Sequence, residues 1–363
     1  MTTTAHPLVT AARRLARDVL LPQAEHVDRT QAPTGHVEAI RRAGLLGVGA
    51  PREYGGADAP VAVARETAEI LAGACCSTWF VQTQHHTPVK LLAGYDSPAR
   101  EKLLRPLATG ELMAGIAYAH VRAFPRVPVR AVAERGGWRF DGRVPWYTGW
   151  GLNDVMLLAG LTAADEVVFV LAGAREQAGL VPSEPMRLAA LTAARTVSLD
   201  LDGLWVPAES VVLRMPREEF ARIDLPRAAN ASPAVFGVAG AALELLARSP
   251  EGEETARALR ERLDAVRREA YELADHPAPH ACVRERLAVR TRAYDVLRAA
   301  TTAAVVAGGG RAMALDSPAQ RLAREGMFLL VQGQTAEARR THLGSLASGL
   351  RPGGRGPEEE YGR

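Results

Sequence analysis

The chain has 363 residues, 47% of them hydrophobic and 23% charged, with 44 Lys+Arg against 41 Asp+Glu for a net charge of +3. That length exceeds what one hydrophobic core sustains, so two or three domains are expected, and the composition excludes a wholly disordered chain. Lys90 and Lys102 are the only lysines, and no basic run resembles a nucleic-acid stripe. In chain order, residues 1–115 read as helical. Leu8, Ala12, Leu15, Val19 and Leu20 recur at helical spacing, as do Val37, Ile40, Ala43 and Leu46. The loop 50–56 follows, then apolar helices over 60–74 and 78–93, and a helix begun by Ser97-Pro98 and closed by Gly110. Residues 116–213 switch to β periodicity. Val129–Arg135 and Trp138–Gly142 flank the turn Gly136-Gly137, 154–160 and 166–173 form a second hairpin, and 197–207 is broken at Asp202-Gly203. Residues 214–348 return to helix, with 234–247, 253–274, 284–307 and 317–345 as its main segments, and 349–363 is a Gly/Pro/Glu-rich tail expected to be disordered.

The N-terminal segment carries Arg13, Arg14 and Arg17 and lacks a signal peptide's apolar core. The longest apolar stretches, such as 299–310, are too short to span a bilayer. Cys75, Cys76 and Cys282 make no disulfide framework, and no metal-ligand spacing occurs. A cytoplasmic chain with no metal, nucleic-acid or membrane partner is expected.

Three groups of residues could carry chemistry. Trp146, Tyr147 and Trp150 surround Thr148 at a strand end, either as a wall for a planar cofactor or as β-domain core beside an exposed turn. Gly308-Gly309-Gly310 ends a long helix and permits close backbone approach, although helices commonly end in glycine. His85 and His86 lie on an apolar helix and His120 at the entry to the β domain. Their near-neutral pKa suits proton transfer, but a histidine on an apolar face is more often a satisfied core residue.

The α–β–α order and several strings resemble the acyl-CoA dehydrogenase superfamily of flavoproteins over about residues 5–348. Leu45 to Gly56 looks like that family's first-domain loop, and Arg100 to Glu111 like the helix before its β domain. Trp146-Tyr147-Thr148 stands where the family has Trp-x-Thr against the flavin. Val206-Pro207 matches the Val-Pro that closes the β domain, and Gly309-Gly310, Pro318, Arg321, Arg324 and Thr335 keep the spacing of the C-terminal signature. The resemblance implies an α+β fold with an N-terminal helical domain, a middle β-barrel-like domain and a C-terminal four-helix bundle. It implies FAD held by Tyr118, His120, Trp146, Thr148, Gly309, Gly310 and Thr335, within a homodimer or homotetramer.

The departures bear on mechanism. The positions of the family's two alternative catalytic glutamates are Gly333 and Pro226. Ala119-His120-Val121 replaces Thr-Glu-Pro, the Gly-Ser-Asp after it is missing, and Val306 replaces a glutamine. The Arg-x-x-Phe-Gly that helps hold the adenine end is absent around 248–255. Losing a general base typically costs about 10²–10⁴-fold. The expectation is a FAD-dependent oxidoreductase acting on a CH–CH bond of a CoA or carrier-protein thioester, with His120 or His86 as base or with a substrate that needs none. A flavin monooxygenase and a non-catalytic paralogue are the alternatives. The arginine-rich composition is consistent with a secondary-metabolism enzyme.

Overall fold

The computed structural model describes residues 5–30 and 33–349. The expected tail lies outside them from residue 350 onward. Helix α1 (Pro7–Leu15) starts on a proline, whose missing N–H costs nothing there, and runs through a π-helical turn, Ala16–Leu20, into α2 (Leu21–Arg29). Helices α3 (Thr34–Arg42), α4 (Val61–Ala74), α5 (Cys76–Gly94) and α6 (Pro98–Thr109) complete the N-terminal part. Both ends of α6 follow from sequence. The Ser97 hydroxyl accepts the N–H of Arg100 at 3.3 Å, and Gly110 closes the helix at φ +78°, a left-handed conformation that glycine adopts without penalty.

The strands are β1 (Ala114–Ala117), β2 (Val129–Glu134), β3 (Gly137–Tyr147), β4 (Val155–Leu161), β5 (Glu166–Gly173), β6 (Leu180–Pro182), β7 (Val197–Pro207) and β8 (Val211–Pro216). They pair in the order β6-β7-β3-β2-β4-β5-β8, with β1 parallel to β4. Only the bridge Arg130↔Leu161 joins β2 to β4. The domain is therefore two sub-sheets meeting at one corner, with Phe140, Tyr147, Met156, Val168, Val170 and Leu199 packed between them. The break expected at Asp202-Gly203 is not an end of strand, since β7 runs through it. Gly203 takes φ +70°, and its N–H donates to the Asp141 carboxylate at 2.8 Å in place of a ladder partner.

Beyond the sheet come α7 (Arg217–Ala228), α8 (Pro233–Leu246), α9 (Glu253–Ala274), α10 (Val283–Gly308), α11 (Pro318–Val331) and α12 (Ala336–Gly349). Helices α8 to α11 pack on one another. The span Arg217–Leu246 is long and apolar enough to cross a membrane by length and composition alone, but 61% of its apolar window is buried inside the fold. Its face is used by α4: a Cβ on Gly237 would sit 2.2 Å from the Glu69 carbonyl oxygen, so the two helix backbones touch. One core runs through both helical parts, from Ala12, Leu71 and Trp79 to Val238, Leu297 and Leu329, and takes in Leu191, Ala193 and Ala194 from the β domain. That loop sits at the seam of all three regions.

Candidate functional site

Alternation along β3 decides which of its aromatics are core. Tyr147 is fully buried and its hydroxyl accepts from Asn153 Nδ2 at 3.0 Å, while the same amide donates to the Thr148 carbonyl at 2.9 Å. Gly115 makes room, since a Cβ there would lie 2.6 Å from the Tyr147 oxygen. Trp146 faces the other way and is 57% exposed. A large apolar ring left open on a strand end is a wall without a partner in the chain.

Thr148 is buried and its hydroxyl meets that of Thr196 at 3.2 Å. Two hydroxyls sharing one hydrogen bond leave one O–H unused by the pair. Thr196 belongs to the loop that follows the short helix Thr192–Ala194, and this loop is strained. Leu191 at φ +56° and Arg195 at φ +50° both occupy the left-handed region, which costs a non-glycine residue roughly 1–2 kcal/mol. It is clamped in place. The Ala194 and Arg195 carbonyls accept the N–H groups of Gly149 (2.8 Å) and Trp150 (3.2 Å), and the short helix packs on α2 and α5.

The histidines are placed differently from expectation. His120 donates Nε2–H to the Ala159 carbonyl at 2.9 Å, its Nδ1 is sealed without a partner, and burial pushes its pKa down to about 4. It ties the segment after β1 to β4. In this arrangement neither ring nitrogen is presented outward for the proton transfer expected of it. His85 is fully committed as well, donating to Leu107 O and accepting from Ala114 N, both at 3.0 Å. His86 is only partly covered. Its Nε2 lies 2.6 Å from Gln82 Nε2, whose amide also donates to Leu45 O, so the imidazole carries its proton on Nδ1. Burial holds its pKa at about 4. His86 is thus a neutral N–H donor, with its lone pair already engaged.

The remaining expected residues divide. Tyr118 packs edge-on against Phe169 and Phe220 at 5.6 and 6.4 Å, so its ring is spent inside an aromatic cluster. Gly309 takes φ +56°, and a Cβ on either Gly309 or Gly310 would meet nothing within 4 Å, so this strip is open. It packs with α10 and α11, whereas Thr148 is held by the β domain and the N-terminal helices. The Thr335 hydroxyl accepts from Ala338 N at 3.2 Å and caps α12. Gly333 (φ +60°) and the buried Pro226 stand where carboxylates were looked for. Cys75 and Cys76 are buried, the former accepting from Thr78 Oγ1 at 3.1 Å.

Comparisons with known proteins converge on this architecture. Residues 2–111 match the family model described as acyl-CoA dehydrogenase, N-terminal domain. A curated relative, 3-sulfinopropanoyl-CoA desulfinase of Paraburkholderia xenovorans, is 24% identical over 370 residues, covering 93% of this chain and 94% of its own. The N-terminal part of the chain thus matches the acyl-CoA dehydrogenase family, and the whole chain shares the acyl-CoA dehydrogenase fold. The fold of this acyl-CoA dehydrogenase-like chain is matched by butyryl-CoA dehydrogenase from Megasphaera elsdenii, with TM-score 0.80, 17% identity, and 94% and 97% of the two chains covered. Dibenzothiophene monooxygenase from Paenibacillus sp. A11-2 matches with TM-score 0.76, 17% identity, and 96% and 98% coverage. The names attached to one architecture therefore include a desulfinase, a dehydrogenase and a monooxygenase.

Proposed function

We propose that the chain is a FAD-dependent oxidoreductase for an acyl thioester, on CoA or a carrier protein, that works without a carboxylate base. The observation carrying this reading is the pairing of a flavin-type wall with an empty base position. Trp146 offers an exposed ring, the Thr148–Thr196 pair one spare O–H, and Gly309-Gly310 an open backbone strip. These are the donor and packing groups a flavin dinucleotide needs, so the residues fit it. FAD, when bound, supplies the two-electron acceptor. Trp146 would pack on the ring and Thr148 would donate to its polar edge.

The glycine strip belongs to a different element from the wall, so a second copy of the chain is the source of the strip in each site. Exposed Val306, Met313, Leu315, Met327 and Val331 around it support a homodimer or homotetramer. His86 is the best-placed proton-handling group, and as a neutral N–H donor it suits a hydrogen bond to a thioester carbonyl better than removal of an α-proton. The relative named as a desulfinase makes thioesters with a β-substituent a class to try beside simple acyl thioesters.

The test is anaerobic. The FAD-loaded protein is mixed with acyl-CoA thioesters with and without a β-leaving group, and loss of flavin absorbance is followed. Bleaching by a thioester supports the reading. No bleaching by any thioester, with O₂ consumed and a hydroxylated product formed once the flavin is chemically reduced, would transfer the assignment to a monooxygenase. That second reading rests on the fold shared with dibenzothiophene monooxygenase. A chain that takes up no flavin would be a non-catalytic paralogue.

A further inference from the structure

Among the described residues, Arg195 is the one arginine withdrawn from full solvent exposure whose guanidinium has neither a hydrogen-bond nor an ion-pair partner. Its Nε is buried and unsatisfied. Every other arginine of comparable or deeper burial meets a carboxylate or a carbonyl, as Arg286 and Arg290 do inside the helical core. The backbone of Arg195 is left-handed at φ +50°, a conformation that glycine would hold without strain. The guanidinium lies over Gly151, whose added Cβ would meet Nη2 at 3.4 Å. The Gly151 N–H also has no acceptor in the chain. Next to Arg195 in sequence is Thr196, the partner of Thr148.

We propose that Arg195, with the Gly151 amide beside it, binds a phosphoryl group of the dinucleotide cofactor. This inference rests on the FAD reading above. A strained, partly desolvated guanidinium with no counter-charge is what an incoming anion completes, and a planar fork of N–H donors matches phosphate oxygens.

The experiment measures dissociation constants of FAD, riboflavin and a CoA thioester for the full chain and for Arg195→Gln, Arg195→Lys and Arg195→Gly, at low and high salt. Arg195→Gln should weaken FAD roughly 10–100-fold, the range of one charge-assisted hydrogen bond, and leave riboflavin, which has no phosphate, unchanged. Arg195→Lys should recover part of the loss. Arg195→Gly should weaken FAD equally while melting no lower than the parent, because glycine relieves the left-handed backbone. That variant keeps the test open if the glutamine variant folds poorly. FAD affinity within twofold of the parent, an equal loss of riboflavin, or a loss confined to the CoA thioester would each overturn the inference while leaving the FAD reading in place. A parent chain that binds no flavin would overturn both.

Discussion

Arg321 and Arg195 are both drawn in from solvent, yet their surroundings are opposite. Arg321 is 3% exposed and lies 3.0 Å from Glu25 and 2.8 Å from Glu325, and Glu325 also accepts the Cys76 N–H at 3.2 Å. With the neighbouring Arg324–Asp28 pair, this joins α11 to α2 and α5 and closes the helical core. Arg195, in the loop clamped on the same helices, faces no anion. The difference separates the part of the molecule that is complete from the part that awaits something. In the helical core, each buried charge meets a counter-charge or backbone carbonyls, as Arg321 and Arg290 do. At the strand end carrying Trp146 and Thr148, an open ring, a spare hydroxyl and an unpaired cation coincide.

The first way to break that contrast is to spoil the complete half. Glu325→Ala leaves Arg321 buried with part of its counter-charge, and the expected loss is about 3–5 kcal/mol in denaturant unfolding. A loss below about 1 kcal/mol would mean that the seam is not what locks the helical domains. The core histidines give the next effect. His85 is held near 3 and His120 near 4, both by burial, against about 6.5 in the unfolded chain. Both are neutral in either state above pH 6.5, so their contribution is fully present there. Below it the unfolded state takes up protons that the folded state refuses, and stability falls by up to about 1.4 kcal/mol per pH unit for each histidine, about 2 kcal/mol each by pH 5. Unfolding curves from pH 7 to 5 should show this slope, and His120→Gln should remove its share.

Much of the fold was legible in the sequence, and the misses have physical causes. The bounds of α9 and the cap of α6 follow from strong periodicity and from Gly110. The start of α7 at Arg217 was missed because its apolar residues fall on no single face and Pro226 lies inside it. Tyr118 and His120 stand at a motif position that implies cofactor contact, while the packing of Tyr118 on Phe169 and the bond of His120 to Ala159 are tertiary facts that no motif carries. Trp146 and Thr148 could be found from the string that contains them. Thr196 and Arg195 could not: nothing local marks a hydroxyl as the partner of one nearly 50 residues earlier, or a left-handed arginine.

The smallest stability effect is also the most informative about the incomplete half. Trp146→Ala removes a side chain already 57% exposed, so unfolding free energy should change by no more than about 0.5 kcal/mol, while FAD affinity falls severalfold. Equal losses in both measurements would make Trp146 a structural residue.

The most direct measurement is retention of flavin through gel filtration after incubation of the purified chain with excess FAD. The expected result is visible flavin absorbance, near one FAD per chain, co-eluting with a dimer or larger species, and reduced in Trp146→Ala and Thr148→Val. A colourless chain at saturating FAD, or a monomer that keeps its full complement of FAD, would contradict a flavin site completed by a second copy at the end of β3.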